Sequence, residues 1–120
     1  MRAIGGKKHE VRWFLKEFKQ IVTSGSGLYV VPRRPNTEGL IELGLTAKIR
    51  TNLILGLSVK DFCSGPEPDY DQPGEVWIFG LDFDGMDIYI KLKIAQVGSA
   101  KIAKCISFHK AKFVLRYPFK

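Results

Sequence analysis

Between Asp87 and His109 lie side chains that can act on a phosphodiester, set at strand spacing. In Asp87-Ile-Tyr-Ile-Lys-Leu-Lys-Ile94 the residues Ile88, Ile90, Leu92 and Ile94 point one way, leaving Tyr89, Lys91 and Lys93 on the other. In Lys101 to His109, Ile102, Ile106 and Phe108 share a face, with Cys105, Ser107 and His109 opposite. The apolar faces align if the turn through Val97-Gly98-Ser99 holds an odd number of residues, and a three-residue loop with Gly is an ordinary hairpin. That register gathers Tyr89, Lys91, Lys93, Ser107 and His109 on one face. Such a set suits metal-independent cleavage of RNA, which needs a base for the 2′-hydroxyl, cations for charge developing on phosphorus, and an acid for the leaving 5′-oxygen. An imidazole exchanges protons near neutrality, so His109 takes the proton-transfer role. The same residues would also suit a plain solvated sheet face.

The charge pattern reaches beyond these strands. From Lys91 to the C-terminus there are seven lysines and one arginine (Lys91, Lys93, Lys101, Lys104, Lys110, Lys112, Arg116, Lys120) and no acidic residue. The preceding thirty residues carry Asp61, Glu67, Asp69, Asp71, Glu75, Asp82, Asp84 and Asp87 and no Lys or Arg. Clustered cations focus a field that attracts phosphate backbones, whereas mixed charges cancel within a Debye length of about 8 Å. Lys93, Lys104, Lys110 and Arg116 are therefore expected RNA contacts, Arg116 because its planar fork fits phosphate oxygens. The acidic stretch is expected away from the substrate path, with Asp82 and Asp84 at the far end of a hairpin. Phe113 and Tyr117-Pro-Phe119 put aromatics beside Lys112 and Arg116, a mixture that stacks bases or docks a C-terminal segment on the core.

Several elements must position these groups. An amphipathic helix is predicted from about Lys8 to Val22, since Val11, Phe14, Leu15, Phe18 and Val22 recur at helical spacing while Arg12, Lys16 and Lys19 fall on the far side. Gly5-Gly6-Lys7-Lys8 reads as a flexible basic leader, and Thr23 to Gly27 ends the helix. Leu28 to Val31 reads as a short strand, and Pro32-Arg-Arg-Pro35 leaves Arg33 and Arg34 extended. Asn36 or Thr37 caps a helix ending near Gly44; Thr46 caps another whose Ile49, Leu53 and Leu57 share a face; Ser58 to Asp61 has capping-box form. Ser64 to Gly74, with its prolines and glycines, reads as a loop. Beyond it Val76–Leu81, Met86–Ala95 and Lys101–His109 are strands, with Asp84-Gly85 a hairpin turn that sends Trp77 and Phe79 to the apolar face under the first helix. The expected class is α+β: N-terminal helices on a small twisted antiparallel sheet.

At 120 residues and 45% hydrophobic, the chain fits one globular domain, and its net charge of +7 points to a polyanionic or acidic partner. No apolar run approaches the roughly 20 residues of a membrane span and no signal-type apolar core opens the chain, so a cytoplasmic protein is expected. Cys63 and Cys105 have no metal-ligand spacing, and P-loop, dinucleotide and nucleophile-elbow motifs are missing. No metal and no cofactor are expected.

Leu43-Gly-Leu45, Leu53-Ile-Leu-Gly-Leu-Ser-Val-Lys-Asp-Phe62, Val76-Trp-Ile78, Ile88-Tyr-Ile-Lys91 and Ile106-Ser-Phe-His109 resemble, in order and spacing, the MqsR toxins, ribonucleases of bacterial type II toxin-antitoxin systems. The resemblance covers roughly residues 40 to 110. It implies a RelE-like α+β fold, a metal-independent mRNA endonuclease, and an antitoxin partner with a DNA-binding domain encoded beside it. The family's strand tyrosine falls at Tyr89 and the lysine of its Tyr-x-Lys pattern at Lys91. Its Ser-Phe-Lys stands here as Ser107-Phe108-His109. Two family positions differ: Ser64 stands for a lysine and Ile78 for a glutamine, so Lys93, Arg116 or the acidic loop must supply what is missing. The leading expectation is an endoribonuclease in which Tyr89, Lys91 and His109 are catalytic. A non-catalytic RNA- or ribosome-binding module on the same face, and a module docking an acidic protein, are the alternatives.

Overall fold

The computed structural model describes residues 4–120. Helix α1 runs Ile4–Ser24 and turns Val11, Phe14, Leu15 and Phe18 inward, all under a tenth exposed. It is helical from Ile4, so the predicted basic leader is its first turn rather than a flexible arm; Lys7 Nζ donates to the Gly65 carbonyl at 2.7 Å. Phe14 stacks on Trp77 at 4.7 Å and on Phe79 at 6.1 Å, so the helix covers the apolar sheet face as its spacing predicts. Burial of such side chains contributes about 1.5–3 kcal/mol each.

Five strands follow the order β1-β5-β4-β3-β2, with β1 at Leu28–Val30, β2 at Phe62–Pro68, β3 at Glu75–Phe83, β4 at Met86–Val97 and β5 at Ala100–Lys110. β2 to β5 pair antiparallel; β1 pairs parallel to β5, which makes the sheet mixed. Helix α2, Arg34–Leu43, lies against β5, and helix α3, Ala47–Leu55, adds Ile54 to the core. The fold is α+β, helices on a small sheet.

The β3–β4 turn is Asp84-Gly85, both at positive φ (55° and 82°), with the Gly85 N–H donating to Asp82 Oδ1 at 3.0 Å. Both carboxylates thus serve the turn. The β4–β5 hairpin departs from the expected register in an instructive way. Its turn holds two residues, Gly98-Ser99, because Val97 pairs with Ala100; the odd residue that parity demands is Ile106, a bulge between the pairs Leu92–Cys105 and Lys91–Ser107. Cys105 and Ala103 consequently face the core, while Ile106 joins the polar side. Phe108, beyond the bulge, points into the core as expected.

Other local expectations shift for physical reasons. Arg34 opens α2 with Pro35 in its first turn, where a missing N–H costs nothing, so only Arg33 stays extended (φ −119°, ψ 144°). Asn36 does not cap that helix. Buried at 2% exposure, it continues the sheet edge past β1: its Nδ2 donates to the Val31 and Ile106 carbonyls and its Oδ1 accepts from Phe108 N–H, each at 2.9 Å. Thr46 caps α3, accepting from Ile49 N–H at 3.2 Å, though Ile49 itself is exposed. Ser58 and Asp61 form the expected box, the Ser58 N–H donating to Asp61 Oδ2 at 2.9 Å. The first part of the predicted Ser64–Gly74 loop is strand β2, which tolerates Pro66 and Pro68 because it is an edge with two register irregularities. No helix among the described residues is long and apolar enough to cross a membrane.

Candidate active site

Cross-strand register fixes the polar face residue by residue. Tyr89 pairs with His109 and Lys91 with Ser107, so all four side chains leave the sheet on the side away from α1. The Tyr89 and His109 rings stack at 5.5 Å, and Phe113 meets the Tyr89 ring edge-on at 5.7 Å. His109 Nδ1 lies 2.9 Å from the Lys110 carbonyl. A carbonyl only accepts, so Nδ1 carries the hydrogen and the neutral ring keeps its lone pair on Nε2. Burial pushes the Tyr89 phenol above its ordinary range, with the nearby Glu67 charge adding to the shift and Arg33 opposing it. Tyr89 is therefore a hydrogen-bond donor at neutral pH and not a base.

The bulge at Ile106 brings in a cation that strand periodicity does not reveal. Arg33 Nη1 donates to the Ile106 carbonyl at 3.1 Å and to Ser107 Oγ at 3.3 Å, which ties an otherwise exposed guanidinium beside Lys91. Pro32, which keeps the chain out of regular pairing just before Arg33, is the one signal in the sequence that could have pointed there. Arg33, Lys91, Lys104 and Ile106 line a cleft of about 440 Å³.

The opposite wall of that cleft is acidic, carrying Glu67, Asp69 and Asp71. The expectation that this stretch keeps clear of the cationic face is thus corrected. Lys93 is the reason. It is 2% exposed, its Nζ 2.5 Å from Asp69 Oδ2 and 2.7 Å from the Pro73 carbonyl, so it anchors the loop and is spent as a phosphate contact. Hydrogen bonding from Lys93 holds the Asp69 carboxyl below its usual range. Lys104 stays on the cleft side, its Nζ 5.9 Å over the Tyr29 ring. Lys110 does not join the site: it pairs with Ile88 and so leaves the sheet on the other face from His109.

A second cleft, about 420 Å³, adjoins Tyr89 and is lined by Ile78, Phe113, Val114 and Arg116, with Glu67 shared between the two. The C-terminal segment builds it by crossing the polar face at Gly80, where an added Cβ would meet Leu115 Cδ1 and the Tyr117 hydroxyl at 2.6 Å. The segment then turns to the other face, and Phe119 stacks on Phe62 at 5.5 Å. Docking of the tail and its delivery of Arg116 are therefore one arrangement. Cys63, in the same cleft, is an inert thiol pushed up to about 11, chiefly by burial and then by Asp61. Ser64 donates to Glu67 at 3.0 Å, and Ile78 is a buried apolar side chain paired with Lys91, so neither brings a cation or an amide to the cleft. Among the described residues no three His, Cys, Asp or Glu side chains group as metal ligands. Comparison with protein-family models, curated proteins and solved structures finds no match for the chain.

Proposed function

We propose that this face is the active site of a metal-independent endoribonuclease, and that the protein is the toxin of a toxin-antitoxin pair of the MqsR kind. The observation that carries the nuclease reading is the conjunction of His109, with a free Nε2 lone pair, and the two cations Lys91 and Arg33 beside the protonated Tyr89. His109 Nε2 takes the 2′-hydroxyl proton while the Nδ1–H bond to the Lys110 carbonyl holds the ring's orientation. The 2′-oxygen attacks phosphorus. Lys91 and Arg33 stabilise the charge that develops on the phosphoryl oxygens, and the departing 5′-oxygen takes a proton from water while the His109 imidazolium returns its own to solvent. Tyr89 donates to the sugar or a phosphoryl oxygen, and Arg116 holds the next phosphate in the adjoining cleft. Positioning and charge stabilisation dominate such sites, so the exchange of a family lysine for His109 is compatible with catalysis. The antitoxin would be an acidic-armed protein covering this face. Induced expression in a bacterium tests the toxin reading: the parent chain arrests growth and Lys91→Ala does not. Growth unaffected by the parent would end it.

A further inference from the structure

Loop 69–74 is held by hydrogen bonds within itself and to Lys93. Asp69 Oδ1 accepts from the N–H groups of Asp71 (3.0 Å) and Gln72 (3.3 Å), its Oδ2 takes the Lys93 ammonium at 2.5 Å, and its own N–H closes the loop on the Gly74 carbonyl at 2.9 Å. Lys93 reaches the Pro73 carbonyl as well, and its Cε fits where Gly74 lacks a Cβ. Burying an ammonium and a carboxylate is costly unless good geometry offsets it. Yet the loop so fixed presents Tyr70, 90% exposed, at the rim of the cleft floored by Arg33, Lys91 and Lys104. An exposed tyrosine contributes nothing to the core.

The cleft is electrically two-sided, with Arg33, Lys91 and Lys104 along its β4–β5 side and Glu67, Asp69 and Asp71 along the end of β2 and the loop that follows it. A nucleotide entering it is oriented by that asymmetry: phosphate toward Arg33, Lys91 and Lys104, and uncharged base toward the loop, where a phosphate would be repelled. We infer that loop 69–74, latched by the Lys93–Asp69 bridge, is a rigid stacking platform on which Tyr70 packs against an unpaired base of single-stranded RNA lying in the cleft. The inference rests on the RNA reading above and adds the residue that receives a base. Lys93 and Asp69 are positioning residues, acting through Tyr70. Bases held in duplex cannot turn a face to the ring, so the platform selects single strands.

The test uses a single-stranded 2′-O-methyl oligoribonucleotide, which binds but cannot be cut through its 2′-oxygen, with fluorescence anisotropy as readout. Stacking is worth about 1–3 kcal/mol per base, so Tyr70→Ala should weaken binding by roughly 5- to 150-fold while Tyr70→Phe binds like the parent. A duplex probe should bind Tyr70→Ala and the parent alike. Asp69→Asn, which removes the charge of the latch, should weaken single-strand binding in the parent but not in the Tyr70→Ala background. Undiminished single-strand binding by Tyr70→Ala would overturn the platform, and an Asp69→Asn effect of equal size in both backgrounds would overturn the latch. A parent that binds through Tyr70 but cuts no RNA removes the nuclease reading and keeps the platform; a parent that cuts RNA with Tyr70→Ala binding fully does the reverse.

Discussion

Lys91 and His109 separate charge stabilisation from proton transfer, and their substitutions should fail differently. Lys91 is a partly buried lysine with no ion pair among the described residues, so Lys91→Ala should change stability by about 0.5 kcal/mol or less. Loss of a donor to the developing charge should nonetheless slow cleavage on the order of 100-fold or more at all pH values. Purified Lys91→Ala cutting RNA at the parent rate would remove the polar-face site. His109→Gln keeps size and hydrogen bonding but cannot exchange a proton; it should lose most activity. His109→Lys should recover charge stabilisation alone, giving partial activity. A parent-like rate in His109→Gln would show that the ring merely ends its strand on the Lys110 carbonyl.

At the scale of elements, the sheet was legible because period-two patterning and the Asp84-Gly85 turn leave little choice for β3 and β4. Parity also demanded an odd residue between β4 and β5, but nothing in the sequence says whether it sits in the turn or as a bulge at Ile106. That choice is made by tertiary partners: Asn36 and Arg33 both bind the Ile106 carbonyl. The Lys93–Asp69 bridge was illegible for the same reason, being a contact between residues far apart in the chain, and Arg33 had only a neighbouring proline to mark it. Helix α2 is fitted to β5 at Gly39, where an added Cβ would lie 2.7 Å from the Phe108 carbonyl and 2.9 Å from His109 Cβ. Glycine to alanine in a helix normally stabilises by about 1 kcal/mol. Here the sign should invert, with Gly39→Ala lowering stability by about 1–3 kcal/mol in denaturant titration and displacing His109. The loop latch carries its own pH signature. The Asp69 carboxyl is lowered mainly by the Lys93 hydrogen bond, so its stabilisation is fully present above the ordinary carboxylate range and lost as pH falls through its depressed folded value. Thermal melts from neutral to acid should show this loss in the parent and a shallower acid slope in Asp69→Asn; parallel slopes would place the acid sensitivity elsewhere.

For the whole molecule, a net charge of +7 is less informative than where it falls. Lys93 is neutralised, Lys101 pairs with Glu17 at 2.6 Å, and Lys110 leaves the other face, so the cleft's working cations are Arg33, Lys91 and Lys104, with Arg116 beyond Tyr89. Three phosphate contacts at roughly 0.7 released counterions each predict a slope of about −2 in log K against log salt for a short single strand. A slope near zero would argue for an uncharged or protein ligand instead. Binding alone does not distinguish a nuclease from an RNA-binding module, and the chemistry of the cut end does. Purified parent protein should be incubated with a single-stranded RNA and the product termini identified by mass. Transfer through the 2′-oxygen predicts 2′,3′-cyclic phosphate or 3′-phosphate ends, no cut at a position carrying a 2′-deoxy sugar, and no product from Lys91→Ala. RNA left intact, or cut to 3′-hydroxyl ends at 2′-deoxy positions as readily as at ribose, would contradict the account.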